Sequence, residues 1–120
     1  MPIEQENTIR TALQHADRLL GQAGSSSKNE EVLSLCRTAI REMLGSFLIF
    51  KGKPAQEGAA TDLNNLLAQC LALEEEFAVM VEVIAFFARE TCFPNEEREM
   101  VIDAANEVWD FILSYLPDTF

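Results

Sequence analysis

The sequence predicts an all-α protein, a single antiparallel bundle of about five helices that spans residues 1–120. Apolar residues recur at steps of three and four along the whole chain, which is the period of an amphipathic helix, and no segment alternates as a half-buried strand would. Gly, Pro and Ser cluster at a few places and divide the chain into helical segments. With 120 residues, 48% of them hydrophobic, the chain is long enough to enclose one core.

The first two helices are predicted to be long. The first spans about residues 3–21 and leads into a Gly- and Ser-rich loop, and the second spans about residues 28–51 and ends at the Gly and Pro of residues 52–54. Ser27 followed three residues later by Glu30 is a capping-box pattern for the start of the second helix. Its apolar stripe is broad, which is typical of the central helix of a bundle.

Three further helices are predicted after the loop that ends at residue 60. The third is short and has Thr61 as its N-cap. The fourth begins with the glutamates of residues 74–76, which suit the positive end of a helix dipole, and it is apolar on two faces. Pro94 ends it, because a proline disfavours helix at the residue before it. Asn95 then caps a fifth helix that stops at Pro117.

The charge is unevenly distributed along the chain. The net charge is −11, with seven basic and seven acidic residues in positions 1–60 but two basic and thirteen acidic residues in positions 61–120. This asymmetry predicts a dipolar surface with one acidic side. That side could bind a partner, or its charges could simply keep the protein solvated. The asymmetry argues against a nucleic-acid partner, because broad phosphate neutralisation needs positive charge.

The remaining composition predicts a cytoplasmic protein. No apolar run reaches the ~20 residues that span a bilayer, so no membrane association is expected. The first ten residues include Glu4 and Glu6 where a secretory signal would have a basic start and an apolar stretch. Cys36, Cys70 and Cys92 form no Cys-x-x-Cys pair and lie among apolar neighbours, which predicts three reduced, buried thiols.

Three stretches of the chain resemble a known family. Residues 35–54 form a helix that ends in Gly and Pro, residues 61–67 read Thr-Asp-Leu-Asn-Asn-Leu-Leu, and residues 92–97 read Cys-Phe-Pro-Asn-Glu-Glu. In this order and spacing they resemble the second helix, the His-Asp-Leu helix and the Arg-Tyr-Pro turn of the HEPN domain (higher eukaryotes and prokaryotes nucleotide-binding). The resemblance covers nearly the whole chain.

The resemblance implies a bundle of four or five helices that is usually a homodimer. In some members it also implies ribonuclease activity from an Arg and a His separated by four to six residues. Other members are non-catalytic partners of minimal nucleotidyltransferases, an arrangement found in toxin–antitoxin pairs.

The catalytic pattern of the family is incomplete in this sequence. The only histidine is His15, which follows Arg10 by five residues and so satisfies the spacing of the family's catalytic pair. Both residues lie on the first predicted helix, where a step of five places two side chains about 140° apart. In the later region Arg89 is followed by Asn95, and an amide cannot exchange a proton near neutral pH. We therefore expect a non-catalytic interaction module. The alternatives are a divergent, metal-independent ribonuclease of toxin type and a nucleotide-binding accessory domain.

Two sets of residues are candidate binding surfaces. The second helix and its exit loop carry the only local positive density, which could bind a phosphate or an acidic partner. These residues are Arg37, Arg41, Lys51 and Lys53.

The second apolar face of the fourth helix predicts a homodimer, because a small bundle has one core and cannot enclose both faces. Aromatic residues of the fifth helix could join this interface. The interface residues predicted are Val79, Val83, Phe86 and Trp109.

No metal or cofactor is expected. A di-metal bundle needs Glu-x-x-His pairs on facing helices, and one histidine does not supply them. Residues 21–28 contain Gly and Ser but no Gly-Lys-Ser/Thr, so they do not form a phosphate-binding loop of the Walker type.

Overall fold

Five α-helices form the protein in a computed structural model that describes residues 2–54, 62–118 and 120. Short 3₁₀ turns at Glu75–Met80 and Asn95–Glu97 lead into the last two helices. The described residues contain no strand, and the prediction of an all-α bundle with two long early helices and a short third one is confirmed. The α-helices are α1 (Ile3–Ser25), α2 (Asn29–Phe50), α3 (Leu63–Leu73), α4 (Val81–Arg89) and α5 (Arg98–Leu113).

Helix α2 is the centre of the bundle, as its broad apolar stripe predicts. It contacts α1, α3, α4 and α5. Cys36, Met43, Leu44 and Phe47 on α2 are fully buried. Because the other helices pack around α2, side chains on α2 are placed to connect elements that are far apart along the chain.

The α1–α2 connection is shorter than the sequence predicts. Helix α1 continues through Gly21 to Ser25, because the buried Ala23 extends the apolar stripe by another turn. The free energy gained by this burial outweighs the ~1 kcal/mol that a glycine inside a helix costs. Only residues 26–28 remain for the turn. The capping-box prediction is wrong, because Lys28 occupies the N-cap position and no side chain caps α2. The hydroxyl of Ser26 instead accepts a bond from the Lys28 backbone N–H at 3.1 Å.

The N-termini of the later helices also differ from the prediction. Thr61 lies outside the described residues, and α3 is capped by Asp62, whose carboxylate accepts from the Asn65 backbone N–H at 3.4 Å. The glutamates at 74–76 introduce a 3₁₀ turn rather than α4 itself. Asn95 is not the N-cap of the last helix, since it lies within the Asn95–Glu97 turn.

An aromatic cluster joins the Glu75–Met80 turn to α2 and α5. Phe77 is fully buried, and its ring lies 4.7 Å from that of Phe47, 5.1 Å from that of Phe111 and 5.8 Å from that of Tyr115. These spacings are in the range of favourable aromatic pairs. The cluster therefore fixes where the chain enters α4.

Two of the three cysteines are buried as predicted. Burial raises the pKa of Cys36 to about 11 and that of Cys70 to about 12, and the Cys70 thiol lies 3.8 Å from the Leu44 carbonyl oxygen. Cys92 is exposed, and the prediction of burial is wrong for it because it lies on the surface turn between α4 and α5.

Thiol labelling should separate these cysteines. With a disulfide reagent at neutral pH, we expect Cys92 to react within minutes, because it is accessible, while Cys36 and Cys70 stay protected. All three should react once the protein is unfolded in denaturant. Replacing Cys92 with serine should remove the fast phase alone, and a fast phase that survives this change would show that the core opens readily.

The described helices include none that is both long enough and apolar enough to cross a membrane.

Candidate functional site

An apolar groove runs between α4 and α5. It has a volume of about 260 Å³ and is lined by Val83 and Phe86 of α4 and by Met100, Val101 and Ala104 of α5. Met100 has 67% of its surface exposed, and Val83 and Phe86 are half-buried. We call this feature the α4–α5 groove. The groove exists because the other helices of the bundle cover the second apolar face of α4 only in part.

Carboxylates border the α4–α5 groove. Glu82 and Glu97 lie at its edges. A second shallow hollow shares Met100 and Ala104 with the groove and is otherwise acidic, with Glu96, Glu99, Asp103 and Glu107 around it. We call these four residues the acidic strip. The groove is thus an apolar surface with negative charge along its α5 side.

The residues predicted as a dimer interface are not all on this surface. Val83 and Phe86 line the groove, and Val79, with 68% of its surface exposed, precedes Val83 by one turn. Trp109 follows Met100 by nine residues, which at 3.6 residues per turn places it about 180° around α5. Trp109 is half-buried and packs against the core there. The four residues predicted as a dimer interface therefore do not lie on one contact surface.

His15 and Glu42 form a surface pair between α1 and α2. His15 Nδ1 lies 2.7 Å from Glu42 Oε1, and because a carboxylate only accepts, Nδ1 carries the proton in this arrangement. The pair lies in an open hollow of about 610 Å³ that also contains Arg18 and Thr11. A histidine held by a carboxylate is a common arrangement in general acid–base sites.

Arg10 is not among the residues that line this hollow, although Asn7 is. Its guanidinium lies 3.8 Å from the Glu6 carboxylate and 3.5 Å from the Asn7 side-chain oxygen, one turn back along α1. This placement agrees with the angular separation predicted for Arg10 and His15. Arg18, which the sequence did not single out, is the arginine that lies with His15, because it follows by three residues on the same face.

Arg89 and Asn95 are also engaged separately. Arg89 is exposed at the end of α4 and donates to Glu90 at 3.0 Å. The Asn95 side-chain oxygen accepts from the Asn29 amide at 2.6 Å. The two candidates therefore have different partners.

The four basic residues predicted as one binding surface are spread along α2 and the three residues that follow it. Arg37 donates to the backbone carbonyls of Phe87 and Glu90, each at 2.7 Å, so it caps the C-terminus of α4. Lys51 lies 14 residues further on, about 21 Å away along the helix, over the rings of Phe47 and Phe50.

Lys53 lines a separate hollow with Glu4 and Thr8, and Arg41 is half-buried on α2. The arrangement does not form a single phosphate site.

A polar network that the sequence does not predict closes one end of the bundle. Arg98 donates to the Ser26 carbonyl and, at 2.6 Å, to the Asn29 side-chain oxygen. The Asn29 amide donates to the Phe93 carbonyl at 3.0 Å and to Asn95. The network joins the α1–α2 turn to the turn before α5. Two of its acceptors are backbone carbonyls, which leave no signal in a sequence.

Tyr115 is hydrogen-bonded to Glu76 across the Glu75–Met80 turn. This bond, with desolvation and the negative charges of Glu76 and Glu74, raises the pKa of Tyr115 from 10.0 to about 12. The folded state therefore favours the protonated phenol. Its contribution to stability is complete below pH 10 and is lost as the pH rises through 12.

The titration of Tyr115 tests this contact directly, because it is the only tyrosine. We expect its ultraviolet absorbance to change with a midpoint near pH 12. Glu76→Ala should lower the midpoint more than Glu74→Ala, since Glu76 supplies both the hydrogen bond and the larger charge effect. Equal midpoints in the two variants would show that the hydrogen bond does not form in solution.

The described residues hold no group of three or more His, Cys, Asp and Glu side chains that could bind a metal ion. No family model, no curated protein and no solved structure matches this chain.

Proposed function

We propose that this chain is a non-catalytic, HEPN-like interaction module that acts as a regulatory or structural partner of another protein. The observation that carries the proposal is the α4–α5 groove, where Met100 and the second face of α4 leave apolar surface accessible. Contiguous apolar surface on a soluble domain is characteristic of a binding site. The HEPN-like part of the proposal rests on the sequence resemblance of residues 35–54, 61–67 and 92–97 to that family.

The engagement of the candidate catalytic residues also supports a non-catalytic role. Arg10 and His15 bind different carboxylates, and Arg89 and Asn95 have different partners. A general acid–base pair needs both groups within hydrogen-bond reach of one substrate.

Site-specific photo-crosslinking tests the interaction role. A photoreactive phenylalanine analogue in place of Met100, in the native cells, should give one discrete adduct with another protein. An adduct with a second copy of the chain alone would favour the homodimer instead. The same analogue in place of Ile3, which is 73% exposed and lies outside the groove, is the control. No adduct at position 100, or the same adduct at both positions, would refute the proposal.

A ribonuclease of toxin type is the second candidate function, and the His15–Glu42 pair is the observation that favours it. The pair could orient His15 for proton transfer while Arg18 binds a phosphate. We expect labelled RNA to stay intact with the purified protein. Cleavage that disappears in His15→Ala and in either Arg10→Ala or Arg18→Ala would establish this alternative instead.

A further inference from the structure

The α4 wall of the α4–α5 groove is long enough to contact one short helix. This wall is nine residues, or about 14 Å, long. Val83 and Phe86 lie three residues apart on this wall, and Val79, on the Glu75–Met80 turn that leads into α4, precedes Val83 by four residues. An amphipathic helix with apolar anchors at i, i+3 or i+4, and i+7 extends over about 11 Å and docks in grooves of this kind.

The charges around the groove restrict what can occupy it. Glu82 and Glu97 lie at its edges and the acidic strip continues along α5, so every charged residue that lines these two hollows is negative. A partner with lysine or arginine beside its apolar anchors would meet complementary charge, whereas one with acidic flanks would be repelled.

A second copy of the chain is a poorer fit for the same reason. A two-fold interface places the same patch of both subunits face to face, so the carboxylates that border the groove in one subunit would approach those of the other subunit. Like charges opposed across an interface disfavour that pairing. Anionic lipid surfaces and nucleic acids are repelled by the same carboxylates.

We propose that the α4–α5 groove binds a basic amphipathic helix of a partner protein, with apolar residues of that helix on Phe86 and Met100 and its Lys or Arg residues on the bordering carboxylates. This inference rests on the proposed function and adds the chemistry of the partner. The homodimer predicted from the sequence stays a prediction, and it is one outcome of the test below.

Model peptides of about 18 residues, long enough to form several helical turns, provide the test. Each carries leucine at i, i+4 and i+7 and a dye for fluorescence anisotropy. One has lysine beside the leucines, a second has glutamine and a third has glutamate. A fourth has the composition of the lysine peptide in scrambled order, without the apolar stripe.

We expect the lysine peptide to bind at least about tenfold more tightly than the glutamine peptide, which is ~1.4 kcal/mol, and the glutamate peptide to bind least. The lysine preference should shrink at about 0.5 M salt, because screening shortens the range of the attraction. The scrambled peptide should bind at least about tenfold more weakly than the ordered one.

Matched variants of the full chain locate the site. Met100→Glu should weaken binding of the lysine peptide less than binding of the glutamine peptide. Ile3→Glu, at a similarly exposed apolar position outside the groove, should change neither affinity. Glu82→Lys should weaken the lysine peptide about tenfold, and Asp17→Lys, the same charge change on exposed α1 surface, should have a much smaller effect. Unchanged circular dichroism spectra would confirm that the variants are folded.

Other outcomes overturn the inference, and they distinguish its failure from that of the proposed function. Equal affinity for the lysine and glutamine peptides at low salt would refute the basic partner and leave the groove as a docking site. A dimer in light scattering that Met100→Glu converts to a folded monomer would assign the groove to a second copy. Equal binding of the scrambled peptide, or no binding of any peptide together with no crosslink at position 100, would refute the docking site itself.

Discussion

Replacing Phe77 with alanine should destabilise the protein by about 3–5 kcal/mol. The side chain is fully buried and its ring contacts Phe47 of α2 and both Phe111 and Tyr115 near the C-terminus. Its loss removes apolar burial and leaves a cavity between three segments of the chain. The free energy of unfolding of such domains is typically about 5–15 kcal/mol, so the substitution would remove a large part of the stability.

Denaturant unfolding, followed by circular dichroism and by the fluorescence of Trp109, measures this effect. Phe77→Leu keeps most of the volume and should cost less than about 1.5 kcal/mol, which keeps the comparison measurable if the alanine variant does not fold. Val79→Ala, two residues away but 68% exposed, is the matched control and should change stability by no more than ~0.5 kcal/mol. Similar losses for Phe77→Ala and Val79→Ala would contradict the cluster.

The second large effect is expected at Arg98. Arg98→Ala removes two charge-assisted hydrogen bonds, to the Ser26 carbonyl and to Asn29, and should destabilise the fold by about 2–3 kcal/mol. Arg89→Ala is the control, because Arg89 is exposed and forms a surface pair with its neighbour Glu90, so its loss should cost less than ~1 kcal/mol.

A double-mutant cycle shows whether Arg98 acts through Asn29. Asn29→Ala alone should also destabilise, since it leaves the Phe93 carbonyl without its donor. The double variant should lose less stability than the sum of the single variants, by about 0.5–3 kcal/mol, because the two residues share one hydrogen bond. Additive losses would show that the two side chains stabilise the fold independently.

The helices could be predicted from the sequence because apolar periodicity is local. The apolar stripe of α2 and the two apolar faces of α4 are each defined by residues a few positions apart in the sequence. The buried apolar residues of both helices belong to this stripe and these faces. Helix ends were less predictable, since Gly21 is a plausible stop in isolation. The buried Ala23 one half-turn later keeps α1 helical, and that burial depends on the rest of the bundle.

The polar contacts of the site could not be predicted for a different reason. Arg37 caps α4 by donating to two backbone carbonyls, and Arg98 reaches Ser26 from 72 residues away. Every residue has a carbonyl, so no residue type marks these acceptors. The packing of the helices is therefore needed to show that Arg37, which the sequence offers as a candidate for binding a phosphate or an acidic partner, donates to the end of another helix.

The bond between Arg37 and the end of α4 has a consequence for local opening of the fold. With nine residues, α4 is too short to be stable as an isolated helix, so its amide protons depend on tertiary contacts for protection from hydrogen exchange. Arg37 supplies two of those contacts from the central helix. We expect α4 to exchange as one unit, faster than α2, and a helix bound beside Met100 to slow that exchange. Protection of the α4 amide protons from hydrogen exchange would then show whether the groove is occupied.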